Sequence, residues 1–410
     1  MKARNTGAMV ILLGILAVSC RQDPIFFTIA SETAPRIPRI EGAPTNMVVF
    51  EREYDDRDEP VPVMYVASGR LHWYAKGKDD DTPRWDSNEY TIDQPGGKII
   101  YLAATSKYLY ALCLSGHGVN TVLKRIGRDS TETEWATLDS PPGNYLIQSI
   151  YAHPEEPWLF AGVRTRNAAR YAIFYLDETD DTFTIVKAEM TATLSGAACR
   201  DGAYYLCTKG DGIFKVNDIA EGNVEELPDT TNTNTRTFMG IVKLGDNSIV
   251  AVARNGGYLY SVGDDSFARM NYDGSTDWIA TGRYATGALA LWERIDPESG
   301  ETTQRMLIAG IQGGLYTTYT SSYTNGYVEF DLHLDGSFNT GSSRHDSGRL
   351  QSVHDQDRYT ASIGKHPINH LFQVPQKLDA EITFFASTQT AGLWSYRDLK
   401  DGGWQWNAED

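Results

Sequence analysis

The side chains best placed to do chemistry are cations in a string of short polar turns: Arg70, His117, Arg164, Arg166, Lys209 and Arg254, with Gln312 and Gln389 at the corresponding places further on. Turns that open on one face of a fold would gather these groups into a basic or polar ring, and such a ring draws in an anionic ligand or an acidic partner segment. The plainer reading is that charged side chains simply decorate exposed turns. Arg36 stands apart, in a proline-spaced segment, with a planar fork of donors suited to a carboxylate. His345-Asp346 and His354-Asp355-Gln-Asp357 lack the ligand spacing of a metal site and read as a solvated polar loop. Nor can a nucleophile, a base and an orienting group be assembled, so no catalytic residue, metal or cofactor is assigned. These residues describe binding, and an enzyme is the less favoured reading.

Charge limits the partners. Lys and Arg total 37 against 54 Asp and Glu, a formal charge of −17, which repels phosphate backbones and excludes nucleic acid as a natural partner. The chain has 410 residues, 41% of them apolar, enough to bury a large core. Lys2 and Arg4 precede an uncharged apolar run over residues 7–18, the length of an export signal and too short to span a bilayer. Beyond Cys20, the cysteines are Cys113, Cys199 and Cys207, each in an apolar run where cysteine acts as a small hydrophobe. A bridge between Cys199 and Cys207 stays open at this point.

The elements that must hold the candidate residues come from a repeat. An apolar strand, a Gly-rich turn and a second strand recur at 63–74, 108–124, 158–175, 203–215, 248–261, 305–317 and 383–395. The bulky residues after the turns, from Trp73 to Trp394, lie about 53 residues apart on average, near the 40 to 50 of propeller blades built from four short strands. Apolar segments before each hairpin, as at 145–153, 237–245, 287–293 and 368–375, read as innermost strands. Runs after the hairpins, at 135–139, 183–187, 278–282 and 404–408, read as fourth strands. The expected fold is all-β: a β-propeller of seven four-stranded blades, with an eighth blade around 325–338 as the alternative.

Three segments share the form Asp-x-(Gly/Ser/Thr)-x-x-Trp: Asp80 to Trp85, Asp273 to Trp278 and Asp401 to Trp406. They resemble, in degenerate form, the Asp-box hairpins of sialidase-like propellers. That resemblance implies that each aspartate caps a turn between third and fourth strands and each tryptophan packs between blades, as scaffolding. Arg36-Ile37-Pro38 is similar to the motif that carries a carboxylate-binding arginine in sialidases, and implies a glycan hydrolase as an alternative function. The run Leu16-Ala17-Val18-Ser19-Cys20 resembles the lipobox of bacterial lipoproteins. It implies that Cys20 becomes the acylated first residue, carrying palmitate and related chains that hold the protein on a membrane.

Together these readings divide the chain into a signal peptide (1–19), a lipidated tether (20–45) and a propeller (46–410) with an insertion around 317–367. Phe26 to Ser31 could add a strand to a blade edge; otherwise the last blade takes all four strands from 368–408. The expected role is a membrane-tethered binding scaffold in the bacterial cell envelope, facing periplasm or exterior, for an envelope protein or an anionic ligand. A surface-exposed adhesin is the further alternative.

Overall fold

The computed structural model describes residues 40 and 43–409, apart from 55–58, 78–81, 116–119, 154–157, 220–221, 246–247, 272–278, 282–283, 297–298, 313–325, 339–365, 380, 390 and 400–402. Cys20, Arg36, Asp80, His117, Asp273, Trp278 and Asp401 lie outside the described residues, as does the segment 26–31.

Each repeat folds into one antiparallel sheet whose strands follow chain order. The first sheet contains β1 (Met47–Arg52), β2 (Val61–Ser68), β3 (Arg70–Lys76) and β4 (Pro83–Trp85). The second contains β5 (Lys98–Ala104), β6 (Tyr108–Ser115), β7 (Asn120–Gly127) and β8 (Ala136–Thr137). The third contains β9 (Tyr145–Ala152), β10 (Leu159–Thr165), β11 (Tyr171–Asp177) and β12 (Thr182–Met190). The fourth contains β13 (Leu194–Arg200), β14 (Ala203–Thr208), β15 (Ile213–Asp218) and β16 (Asn223–Glu226). The fifth contains β17 (Phe238–Leu244), β18 (Ser248–Ala253), β19 (Leu259–Val262) and β20 (Phe267–Arg269). The sixth contains β21 (Tyr284–Ile295), β22 (Thr302–Gln312) and β23 (Gly326–Leu332), and the seventh β24 (Ile368–Gln373), β25 (Ile382–Thr388), β26 (Leu393–Leu399) and β27 (Gly403–Ala408).

The innermost strands β1, β5, β9, β13, β17, β21 and β24 touch in that order, and β24 returns to β1. The fold is a β-propeller of seven blades. Packing explains why the ring closes. A single sheet has two apolar faces, and each is covered only by the next blade. One hydrophobic cluster accordingly fills each seam: Phe50, Tyr65 and Ile99 between blades one and two, for instance, and Trp158, Phe160 and Leu206 between three and four. Second strands are therefore buried on both sides, as in β2, whereas the outermost β12 shows mostly exposed positions.

The last blade takes its four strands from within 368–408, so among the described residues closure uses no exchanged strand. Side chains stitch the final seam instead. Met64, Tyr74, Ile382, Phe385 and Leu393 share one cluster, which also buries Ile40. The Tyr74 hydroxyl donates to Asp379 Oδ2 at 2.6 Å, and Trp85 Nε1 donates to Glu409 Oε2 at 2.8 Å.

Two expectations need correction. The third strand of blade six is Gly326–Leu332, not the residues immediately after the turn at 312–314, because 326–332 pairs along β22 from Ile311 to Arg305 and buries Val328 and Phe330. The same pairing removes the eighth blade, since 326–332 is consumed by blade six. The fourth strand of blade five is Phe267–Arg269, not 278–282: it pairs with β19, and the turn between the two, 263–266, is closed by Gly263 N–H to Ser266 O at 2.8 Å. Trp85 and Trp406 do sit at blade seams, Trp85 against Tyr74 and Phe385, Trp406 against Tyr327.

Candidate functional site

Antiparallel order puts every turn between second and third strands at the end where the innermost strands begin. One hydrogen bond fixes the level of these turns. Arg166 N–H donates to Asn144 O, Lys209 N–H to Thr193 O, Arg254 N–H to Thr237 O and Gln389 N–H to Pro367 O, all at 2.9 to 3.1 Å. Each acceptor lies just before its own blade's innermost strand, so these four side chains leave the backbone at equivalent points around one mouth.

Local chemistry holds two of the turns alike. Thr208 Oγ1 donates to Gly212 O and accepts from Asp211 N–H, and Thr388 Oγ1 does the same with Gly392 O and Ala391 N–H. Gly212 and Gly392 close the turns at positive φ, 87° and 74°, where a side chain would be strained. Asp211 is spent on the preceding connection, accepting from the N–H groups of Thr191 and Ala192 at 2.9 and 2.7 Å.

Below this mouth lies the central channel, about 830 Å³ in volume and walled by the innermost strands. The walls carry a feature that periodicity does not reveal. In blades two to seven the innermost strand bulges against its partner, leaving an unpaired residue or short stretch: Ile100, Gln148, Ser195, Met239, 286–288 and Asn369. A bulge re-aims side chains that a regular pleat would send sideways into the seams. Ser195, Met239, Thr286 and Asn369 consequently line the channel, beside Tyr101, Tyr151 and His370.

The strands approach closely at this ring. A Cβ on Gly240 would stand 2.6 Å from Gly287 O, and one on Gly287 would stand 2.6 Å from Met239 O. Polar side chains tie neighbouring strands: Leu102 N–H donates to Asn46 Oδ1 at 2.8 Å, and Ser195 Oγ donates to Phe238 O at 2.8 Å.

The channel's polar groups are mostly uncharged. Burial raises the pKa of both Tyr101 and Tyr151, whose hydroxyls share a hydrogen bond. Burial pushes the His370 imidazole down to about 4. Its Nδ1 accepts from Met47 N–H at 3.3 Å, which places the ring proton on Nε2. The charged lining residues are Glu51, Arg128 and Lys209, and Arg128 pairs with Glu51 at 3.0 Å toward the far mouth. Lys209 is exposed by area, yet the surrounding wall removes enough water to lower its pKa, and Arg254 lowers it further.

The other proposed ring members are not among the residues that line the channel. Arg70 donates from Nε to His72 Nε2 at 3.1 Å, and His72 Nδ1 sits 3.0 Å from Asp86. Arg164 is exposed on β10, and Arg166 is exposed and bonds to Asn120. Gln312 is exposed at the end of β22. Among the described lining residues Arg128 is the one arginine, and its pairing with Glu51 leaves no free guanidinium cluster of the sialidase kind in the channel. Cys113, Cys199 and Cys207 form no disulfide with one another, and burial pushes the Cys207 thiol up to about 12. Tyr101, Tyr151, Thr286 and His370 are functional candidates that sequence reading missed; their only local signal was a polar or aromatic residue inside an apolar innermost strand.

No family model matches the chain, and no curated protein is similar to it. Solved structures do resemble it. The structure of U3-55K matches 90% of this chain and 95% of its own at 9% identity, with a TM-score of 0.50. A protein from Lactobacillus plantarum matches 88% of this chain and 96% of its own at 11% identity, also with a TM-score of 0.50. At such identities the likeness concerns the fold alone.

Proposed function

We propose that the protein is a lipid-tethered, extracytoplasmic lipoprotein whose propeller serves as a rigid binding scaffold in the bacterial cell envelope. Cys20 is the acylated residue in this reading, and the tether leads to blade one at the mouth ringed by the polar turns. The partner is an envelope protein or an anionic ligand received at that mouth. The observation that carries the proposal is the gathering of Arg166, Lys209 and Arg254 at equivalent backbone points around one mouth of a chain with a net charge of −17. A rigid closed ring with loops at one mouth suits recognition, because little conformational entropy is lost when a partner docks.

Two measurements test it. Metabolic labelling with an alkyne palmitate analogue should mark the full-length chain and fail with Cys20→Ala; labelling that survives the substitution removes the anchor. Affinity capture from solubilised envelope should recover a partner that Arg164→Glu with Arg254→Glu no longer holds. Capture unchanged by that double charge reversal would show that the ring is decoration.

A further inference from the structure

The described lining of the central channel carries one cation in excess, Lys209, inside an acidic protein. Glu51 and Arg128 neutralise one another at its far end, at 3.0 Å. Lys209, the remaining charged residue among the described lining, has no such partner. The ion pairs of the described residues include neither Lys209 nor Arg254. Asp211, two residues along the same turn, is occupied by backbone N–H groups. Lys209 and Arg254 flank one residue of the neighbouring connection: Lys209 forms a β-bridge with Thr237, and Arg254 N–H donates to Thr237 O at 3.1 Å. Like charges set on adjacent turns without a counter-ion raise the energy of the empty mouth, and an anion seated between them relieves it. Behind them the lining includes neutral side chains able to hydrogen-bond: Tyr101, Tyr151, Thr286 and His370, whose Nδ1 accepts from Met47 N–H. Such groups match hydroxyls better than alkyl chains, which would strip them of water without replacing the bonds. The volume, about 830 Å³, accommodates a molecule of sugar size.

We propose that the channel binds a small hydroxylated anion, its carboxylate or phosphate held by Lys209 and Arg254 and its hydroxyls facing Tyr101, Tyr151, Thr286 and His370. The inference rests on reading this mouth as a binding face, and it commits that face to a small molecule entering the ring.

Isothermal titration of the purified full-length protein separates the possibilities, using gluconate and glucose 6-phosphate as anionic probes and glucose as the neutral control. At least one anion should bind tenfold or more tightly than glucose. Which of the two binds assigns the charged group as carboxylate or phosphate. Lys209→Gln should weaken that binding tenfold or more, Tyr151→Phe should weaken it severalfold, and Arg84→Gln, exposed on the outermost strand β4, should leave it unchanged. Anions that bind no better than glucose, or binding indifferent to Lys209→Gln, would overturn the proposal. A blank titration alongside intact partner capture removes the channel ligand and leaves the scaffold standing.

Discussion

Individual ionisable residues make the fold's stability depend on pH in opposite directions. Burial, with Asp331 adding, raises Glu329 to about 7, so its contribution is complete below the ordinary carboxylate range near 4.5 and is lost as pH rises through 7. His370 behaves in reverse. Its depressed pKa gives stability that is present above 6.5 and is lost as pH falls toward 4. Glu329→Gln should therefore gain on the parent protein between pH 4.5 and 7.5, by on the order of 2 to 3 kcal/mol in urea unfolding. An equal difference at both pH values would contradict the assignment. His370→Gln should show the opposite trend, losing the acid-side decline. Neither residue announced itself in the sequence: Glu329 sat in an alternating run and His370 in an apolar one, and only packing partners decide whether a titratable group is desolvated.

At the scale of the element, strands and turns were largely legible because apolar alternation and glycine placement are local properties. The innermost strands of blades three, five, six and seven fall where the apolar runs lie, and the fourth strands of blades two, three and seven match theirs. Blade six was misread because a Gly-Gly turn signal follows β22 directly, whereas the third strand comes later and wins by pairing along the length of β22. The bulges were not legible at all, since an unpaired residue is defined by the strand opposite. Their rigidity can be tested at the closest approach. Gly240→Ala, whose new methyl would meet the Gly287 carbonyl at 2.6 Å, should cost about 1 to 3 kcal/mol in urea unfolding. A neutral result would mean that the inner ring yields easily.

At the scale of the whole molecule, stability depends on a seam that joins residues more than three hundred positions apart. Tyr74 to Asp379 and Trp85 to Glu409 cross it, and the same logic links blade two to three through Tyr110 and Glu178, and blade four to five through Tyr205 and Asp264. Trp85→Ala empties an aromatic cluster with Tyr74 and Phe385 and should cost about 3 kcal/mol or more, with early proteolysis concentrated at blades one and seven. Uniform cleavage around the ring would show that closure is not the weakest point. Side chains carry this seam, and aromatic residues suit it with large buried areas and a polar tip that finds a partner.

By itself the sequence determined the blade architecture and the turns that carry the cations, because alternation, turn chemistry and repeat length are written along the chain. The tertiary structure decided which of those turn residues reach the channel and which strand completes blade six. It also decided that Tyr101, Tyr151, Thr286 and His370 share one cavity. The physical reason is that a channel wall consists of residues contributed by different blades. Their meeting depends on bulge positions, close glycine approaches and ring closure, and none of these is a property of any single segment.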